Sequence, residues 1–156
     1  MEQRINFVEA GAGALKAMFG LSAYLSKSGL EKSLLELVDF RVSQINGCAY
    51  CLDMHSKDLR AAGETEQRLY LLSAWRESPF YTERERAALE WAEAVTLVAE
   101  SRVPDEVYEQ ARAQFTEEEL VNLTLAVVAI NGWNRFNVAF RTEPGGYQPA
   151  SAHAAA

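Results

Sequence analysis

The chain is poor in the residues that carry chemistry, with two cysteines and two histidines among 156 positions. No apolar run approaches the roughly 18 residues that cross a bilayer, so no membrane span is expected. Positive charge is also scarce. Fifteen basic residues against 22 acidic ones leave a net charge of -7, which argues against a nucleic-acid groove, since that needs a concentrated basic face. Met1 to Asn6 lacks the basic stretch leading into an apolar core that marks a secretory signal, and the expected compartment is cytoplasmic. In such a compartment a close pair of cysteines reads as catalytic or metal-binding rather than as a structural staple. Repeats, interdomain linkers and low-complexity tracts are missing apart from the terminal alanines. What remains is ordinary: 49% hydrophobic and 24% charged residues, enough for one buried core at this length.

The apolar periodicity is helical almost throughout, and the fold class it predicts is all-α. Phe7, Leu15, Met18, Phe19, Leu21 and Leu25 predict one long helix from Phe7 to Ser28, stopping at Ser28-Gly29. A second runs from Glu31 to Ile45, with Leu34, Leu37, Val38 and Ile45 on one stripe. Asn46-Gly47 predicts a turn, because both residues tolerate positive φ. A third helix follows from about Cys48 to Ala62, closed by Gly63. Thr65 caps a short helix through Leu72, and Pro79 interrupts what comes next. Thr82 with Glu85, and Thr116 with Glu119, have capping-box spacing. The first box opens a helix through Val98, and the second opens the segment Leu120 to Phe140. Between them, Pro104 suits the first turn of a helix containing Val107, Tyr108 and Ala111. The last segment is apolar nearly all round, which places it at the centre of the fold or in a subunit interface. From Pro144-Gly145-Gly146 onward the chain reads as extended. The expected domain covers residues 1–147, with a flexible tail over 148–156 that contains His153.

Cys48-Ala49-Tyr50-Cys51 gathers both cysteines into one C-x-x-C pair, with His55 four residues beyond it and Glu36 twelve residues before it. In a helix that begins at Cys48, a turn of about 100° per residue puts Cys51 and His55 on the same face as Cys48. Free N–H groups and the positive dipole end of a first turn stabilise a thiolate. Side chains at i and i+3 are also close enough to close a disulfide. A depressed thiol pKa with a nearby partner suits reversible two-electron redox chemistry. Glu36 depends on the turn. A straight helix would hold it roughly 18 Å from Cys48. A reversal at Asn46-Gly47 instead sets it about 16 Å below the turn, nearest His55. The predicted relay is carboxylate, imidazole, thiol: Glu36 orients His55, and His55 takes the proton from Cys51.

The stretch from Glu36 through Cys48-Ala-Tyr-Cys51 to His55 resembles the alkylhydroperoxidase AhpD-like proteins of the carboxymuconolactone decarboxylase superfamily. The likeness continues through Gly63 to Tyr70, Trp75 to Leu89 and Ala129 to Phe136, and so covers about Arg4 to Tyr147. The Glu, Cys-x-x-Cys, His pattern is specific to the peroxidase branch, and the decarboxylase branch lacks the cysteine pair. The resemblance implies an all-helical homo-oligomer, a trimer or hexamer, with sites near subunit contacts and no bound metal or organic cofactor. It implies that Cys51 is the peroxidatic nucleophile and Cys48 the resolving thiol that condenses with it. Glu36 and His55 take the places of the relay carboxylate and imidazole. The implied substrate is hydrogen peroxide or an organic hydroperoxide, and the implied reductant a lipoyl-bearing or thioredoxin-like protein. One departure stands out: well-known members carry histidine where this chain has Tyr50. A phenol titrates too high to exchange protons near neutrality as an imidazole does.

Other readings compete. Cys48, Cys51, His55 and Glu36 could ligate zinc, although structural zinc sites usually draw on a second Cys or His pair. The same thiols could serve a general disulfide oxidoreductase, or a redox or zinc sensor that signals through a change of oligomer. They could also be small buried residues at a helix start. Trp133, Asn134, Arg135 and Asn137 interrupt an apolar helix. They mark either a substrate cavity or the point where the helix leaves the core. Tyr50 reads as packing beside the site, and Trp75, Phe80 and Tyr81 as packing around Pro79.

Overall fold

Residues 2–149 are described by the computed structural model, and among them the regular structure is entirely helical. The elements are α1 (Phe7–Ala10), α2 (Ala12–Leu25), α3 (Lys32–Asn46), α4 (Ala49–Ala61), α5 (Glu66–Leu71), a 3-10 segment (Leu72–Glu77), α6 (Glu83–Thr96), α7 (Val98–Ser101), α8 (Asp105–Gln114) and α9 (Glu117–Phe140). Both capping boxes form, Thr82 with Glu85 and Thr116 with Glu119, each side chain meeting the other's backbone N–H. Thr65 caps α5 through the N–H of Arg68.

Two helices differ from the sequence expectation. The segment expected as one helix from Phe7 breaks at Gly11, where φ is -121° and ψ is 37°, and α2 then stops at Leu25. Glycine in a helix interior is destabilising by about 1 kcal/mol. The ring of Phe7 also packs at 5.4 and 5.7 Å from Phe136 and Phe140, which pins α1 to the end of α9. The helix expected to reach Val98 stops at Thr96, and Leu97 starts the separate turn α7.

Helix α3 is shared between two cores. Leu34, Val38 and Val42 face a cluster with Ala88, Trp91 and Ala92 of α6 and with Leu123, Val127 and Ile130 of α9. Leu37 and Phe40 face a second cluster with Leu59, Leu72, Trp75 and Leu89. Lys32, Glu36, Asp39, Ser43 and Asn46 recur at helical spacing and make a polar third face. Helix α9 crosses α2, α3, α4, α6 and α8. It is central, as expected, but Val121 and Val128 on its outer side are 69% and 52% exposed.

Polar groups lock this packing. Asn46 donates to Asn131 at 3.0 Å and to Asn134 at 2.8 Å, while Asn134 donates to Ser43 at 3.0 Å. Glu93 accepts from Arg41 at 2.7 Å and Trp75 Nε1 at 2.8 Å, and pairs with Arg76 at 2.8 Å. Burial works against the charge on Glu93, but those donors outweigh it and hold its pKa below the usual range. The segment after α9 is less free than the Pro144-Gly145-Gly146 sequence suggests. Gly145 N–H donates to Asp53 at 2.9 Å, Lys57 Nζ to Tyr147 O at 3.0 Å, and Tyr147 OH to Asp58 at 2.8 Å. Positions 150–156, with His153, lie outside the described residues.

Candidate active site

The site is built around one reversal. Helix α3 ends at Asn46, Gly47 takes a left-handed φ of 64°, and α4 begins at Ala49. Cys48 is therefore the N-cap rather than the first helical residue, and its Sγ accepts the N–H of Cys51 at 3.3 Å. Cys48 and Cys51 are joined as a disulfide with their Cα atoms 5.3 Å apart. Both residues are 1% exposed, yet their surroundings differ. Cys51 forms part of the wall of a cavity of about 640 Å³, and Cys48 lies behind it.

That cavity lies among α1, α2, α3, α4 and α9. From α4 it receives Tyr50, Cys51, Met54 and His55, from α3 Glu36 and Asp39, and from α9 Trp133 and Asn137. Much of the rest of the wall is apolar, including Phe7, Leu15, Phe19, Leu25 and Ile130, with Lys32 and a few uncharged polar side chains among them. Asn137 donates through Nδ2 to Cys51 Sγ at 3.5 Å and to Trp133 O at 3.0 Å. The four residues flagged near the end of α9 thus part company. Trp133 and Asn137 face the cavity, Asn134 joins the buried amide network, and Arg135 is exposed and bonds Asn131 at 2.8 Å.

His55 stands one turn beyond Cys51, is 8% exposed, and its Nε2 is buried with no hydrogen-bond partner among the described residues. Burial pushes its pKa down to about 4, and the charge of Asp58 only partly opposes this. The imidazole is neutral near pH 7. Glu36 shares the cavity wall, but the expected contact with His55 is not made among the described residues. Its carboxylate meets Lys32 at 3.3 Å instead. The reason is helical rise. Glu36 stands about 16 Å below Gly47, whereas His55 stands only about 12 Å beyond it, so Asp39 is the acid at the level of His55. Burial pushes the Asp39 carboxyl up to about 8, and the neighbouring charge of Glu36 adds to the shift. Sequence reading missed Asp39, although counting residues on both sides of Gly47 would have found it. Among the described residues no three His, Cys, Asp or Glu side chains converge as a metal site requires.

An all-helical domain with a C-x-x-C pair at a helix start, one sulfur facing an apolar cavity beside an imidazole and two carboxyls, defines a recognisable class. The chain belongs to the carboxymuconolactone decarboxylase family, whose profile matches residues 12–94, and it is an AhpD-like member. It is 45% identical over 139 residues to the uncharacterized protein YdfG of Bacillus subtilis, covering 89% of this chain and 95% of YdfG. It superposes with a TM-score of 0.90 on a crystal structure from Agrobacterium tumefaciens, 48% identical, covering 94% of this chain and all of the other. That protein is of unknown function and is provisionally assigned to AhpD antioxidant defence. A shorter match, 47% over 45 residues, links the chain to the alkyl hydroperoxide reductase AhpD of Mycobacteroides abscessus, covering 29% of this chain and 26% of that protein. Among the described residues no helix is long and apolar enough to cross a membrane.

Proposed function

We propose that the protein is a thiol-dependent peroxidase acting on hydrogen peroxide or organic hydroperoxides. The observation that carries this reading is the asymmetry of the two sulfurs. Cys51 faces the cavity and accepts a hydrogen bond from Asn137, while Cys48 sits behind Cys51 within bonding distance of it. In the reduced protein the Cys51 thiolate attacks the terminal peroxide oxygen. The O–O bond breaks, the alcohol leaves with a proton, and Cys51 becomes a sulfenic acid. The Cys48 thiol then attacks that sulfur, water departs, and the disulfide forms. A dithiol reductant returns both cysteines to thiols by exchange. The cycle draws on the two sulfurs and needs no bound metal or organic cofactor.

His55 enters as a neutral imidazole. A thiolate formed beside it raises its proton affinity again, because opposite charges in a buried site favour each other. That makes it the acceptor for the Cys51 proton. Glu36 supplies the field at the outer edge of the cavity rather than a direct hydrogen bond to His55. The apolar walls suit an alkyl hydroperoxide. A lipoyl-type arm, thin enough to enter a cavity, suits two sulfurs that are each 1% exposed better than a broad protein surface does. The same exposure weighs against a general oxidoreductase of protein thiols. A homo-oligomer, trimer or hexamer, would cover exposed apolar side chains such as Phe19 at 59% and Val121 at 69%.

The test is peroxide consumption with dihydrolipoamide as reductant. Cys51→Ser should abolish turnover, and Cys48→Ser should permit one oxidation and then stall. Wild-type turnover in both variants would overturn the mechanism.

A further inference from the structure

The peroxidase reading leaves one proton unassigned. When a thiolate splits a hydroperoxide, the departing alkoxide is a strong base and must be met by an acid in the cavity. In the resting protein burial keeps His55 neutral near pH 7, and the proton it takes from Cys51 is held there by pairing with the thiolate. Glu36 is tied to Lys32 at 3.3 Å. Asp39 has neither restriction. It lies on the polar face of α3 one turn closer to the sulfurs than Glu36, lines the same cavity as Cys51 and His55, and has no ion-pair partner among the described residues. With Glu36 at i-3, the two carboxyls share one cavity, and like charges there favour holding one proton between them.

We propose that Asp39 is the general acid of this site, keeping its carboxyl proton in the resting protein and giving it to the oxygen that leaves when Cys51 attacks a hydroperoxide. The inference rests on the peroxidase reading and completes its first step. The Cys51 thiolate and the hydroperoxide give the sulfenic acid and an alkoxide, and Asp39 protonates the alkoxide to the alcohol and is left as carboxylate. The proton that His55 took from Cys51, released once the thiolate is consumed, or one from solvent, restores Asp39. The titratable groups that share its cavity are Glu36 and Lys32 on α3 and Tyr50, Cys51 and His55 on α4, with the uncharged Asn137 on α9. Burial and the charge of Glu36 set its titration near 8, so the acid form dominates at neutral pH.

The experiment compares two oxidants of the fully reduced protein in single turnover. One is tert-butyl hydroperoxide, whose leaving group needs a proton. The other is dithiodipyridine, an aryl disulfide whose leaving group does not. The ratio of the two rates cancels changes in thiolate content and access. In the wild type the ratio should be flat below pH about 8 and fall about tenfold per pH unit above it. In Asp39→Asn it should be lower by about 10²–10⁴-fold at pH 7 and show no inflection. Asp39→Glu should recover part of the loss. Equal slowing of both oxidants in Asp39→Asn would show a merely structural role and overturn the proposal, as would a wild-type ratio with no inflection. The wild-type profile decides the matter even if the variant does not fold. If the wild type reacts with dithiodipyridine but meets the hydroperoxide no faster than free cysteine does, the peroxidase reading itself fails, and this inference falls with it.

Discussion

Asn137, on α9, donates its side-chain amide to Cys51 Sγ on α4 across 3.5 Å, joining residues 86 positions apart in the chain. It is the point at which the central helix touches the sulfur that faces the cavity. A hydrogen bond to a charged partner contributes about 1.5–3 kcal/mol, and one pKa unit corresponds to about 1.4 kcal/mol. Asn137→Leu should therefore raise the Cys51 thiol pKa by about one to two units. Alkylation by iodoacetamide across pH, in reduced protein carrying Cys48→Ser, measures this directly. An unchanged alkylation profile would remove Asn137 from the site.

Asp39 and His55 should tilt the pH dependence of stability in opposite directions. The folded protein holds the Asp39 proton up to about 8, whereas an unfolded aspartate gives it up near pH ~4. Its stabilising effect is thus complete below pH ~4 and lost as pH rises through about 8. The folded protein keeps His55 neutral down to about 4, whereas an unfolded histidine takes up its proton near pH ~6.5. That contribution is complete above pH ~6.5 and lost as pH falls through about 4. Asp39→Asn should raise stability relative to wild type at pH 8–9 by on the order of 1–2 kcal/mol, with the gain gone at pH ~4. His55→Gln should show its relative gain on the acid side, near pH ~5. Urea midpoints across pH decide it. A constant offset between variant and wild type at every pH would contradict the assigned titrations.

The amide network beneath the turn should carry real stability. Asn134 is 1% exposed, accepts from Asn46 at 2.8 Å and donates to Ser43 at 3.0 Å. Asn134→Ala removes a partner from both and leaves them short of hydrogen bonds in a buried place. The expected loss is about 2–4 kcal/mol in denaturant unfolding. A loss below about 0.5 kcal/mol would mean that the network is solvated in solution.

Glu93 is the second polar anchor, shared by Arg41, Trp75 and Arg76. Glu93→Ala leaves the Arg41 guanidinium, only 14% exposed, without its carboxylate. Loss of one partner from a buried pair costs about 3–5 kcal/mol, and partial exposure brings the expectation to about 2–3 kcal/mol. Thermal unfolding of Glu93→Ala beside Glu93→Gln separates the loss of charge from the loss of packing. Equal melting temperatures for both variants and the wild type would show that the cluster contributes nothing.

Local signals were enough to read much of this protein from its residues. The Thr-x-x-Glu pairs announced α6 and α9 because a capping box is satisfied within four residues. Asn46-Gly47 announced the reversal because a left-handed residue there favours glycine. The Cys51, His55 spacing put two groups on one helix face whatever the rest of the chain did, although Cys48 turned out to be the cap before that helix. Tertiary structure decided the remainder, because it turns on contacts between distant segments. Which sulfur meets the cavity depends on α9 laying Asn137 against Cys51. Whether Glu36 touches His55 depends on the relative rise of α3 and α4 and on Lys32 claiming the carboxylate first. The unusual proton affinities of Asp39 and His55 arise from the burial that folding imposes on them, which no stretch of sequence around either residue contains.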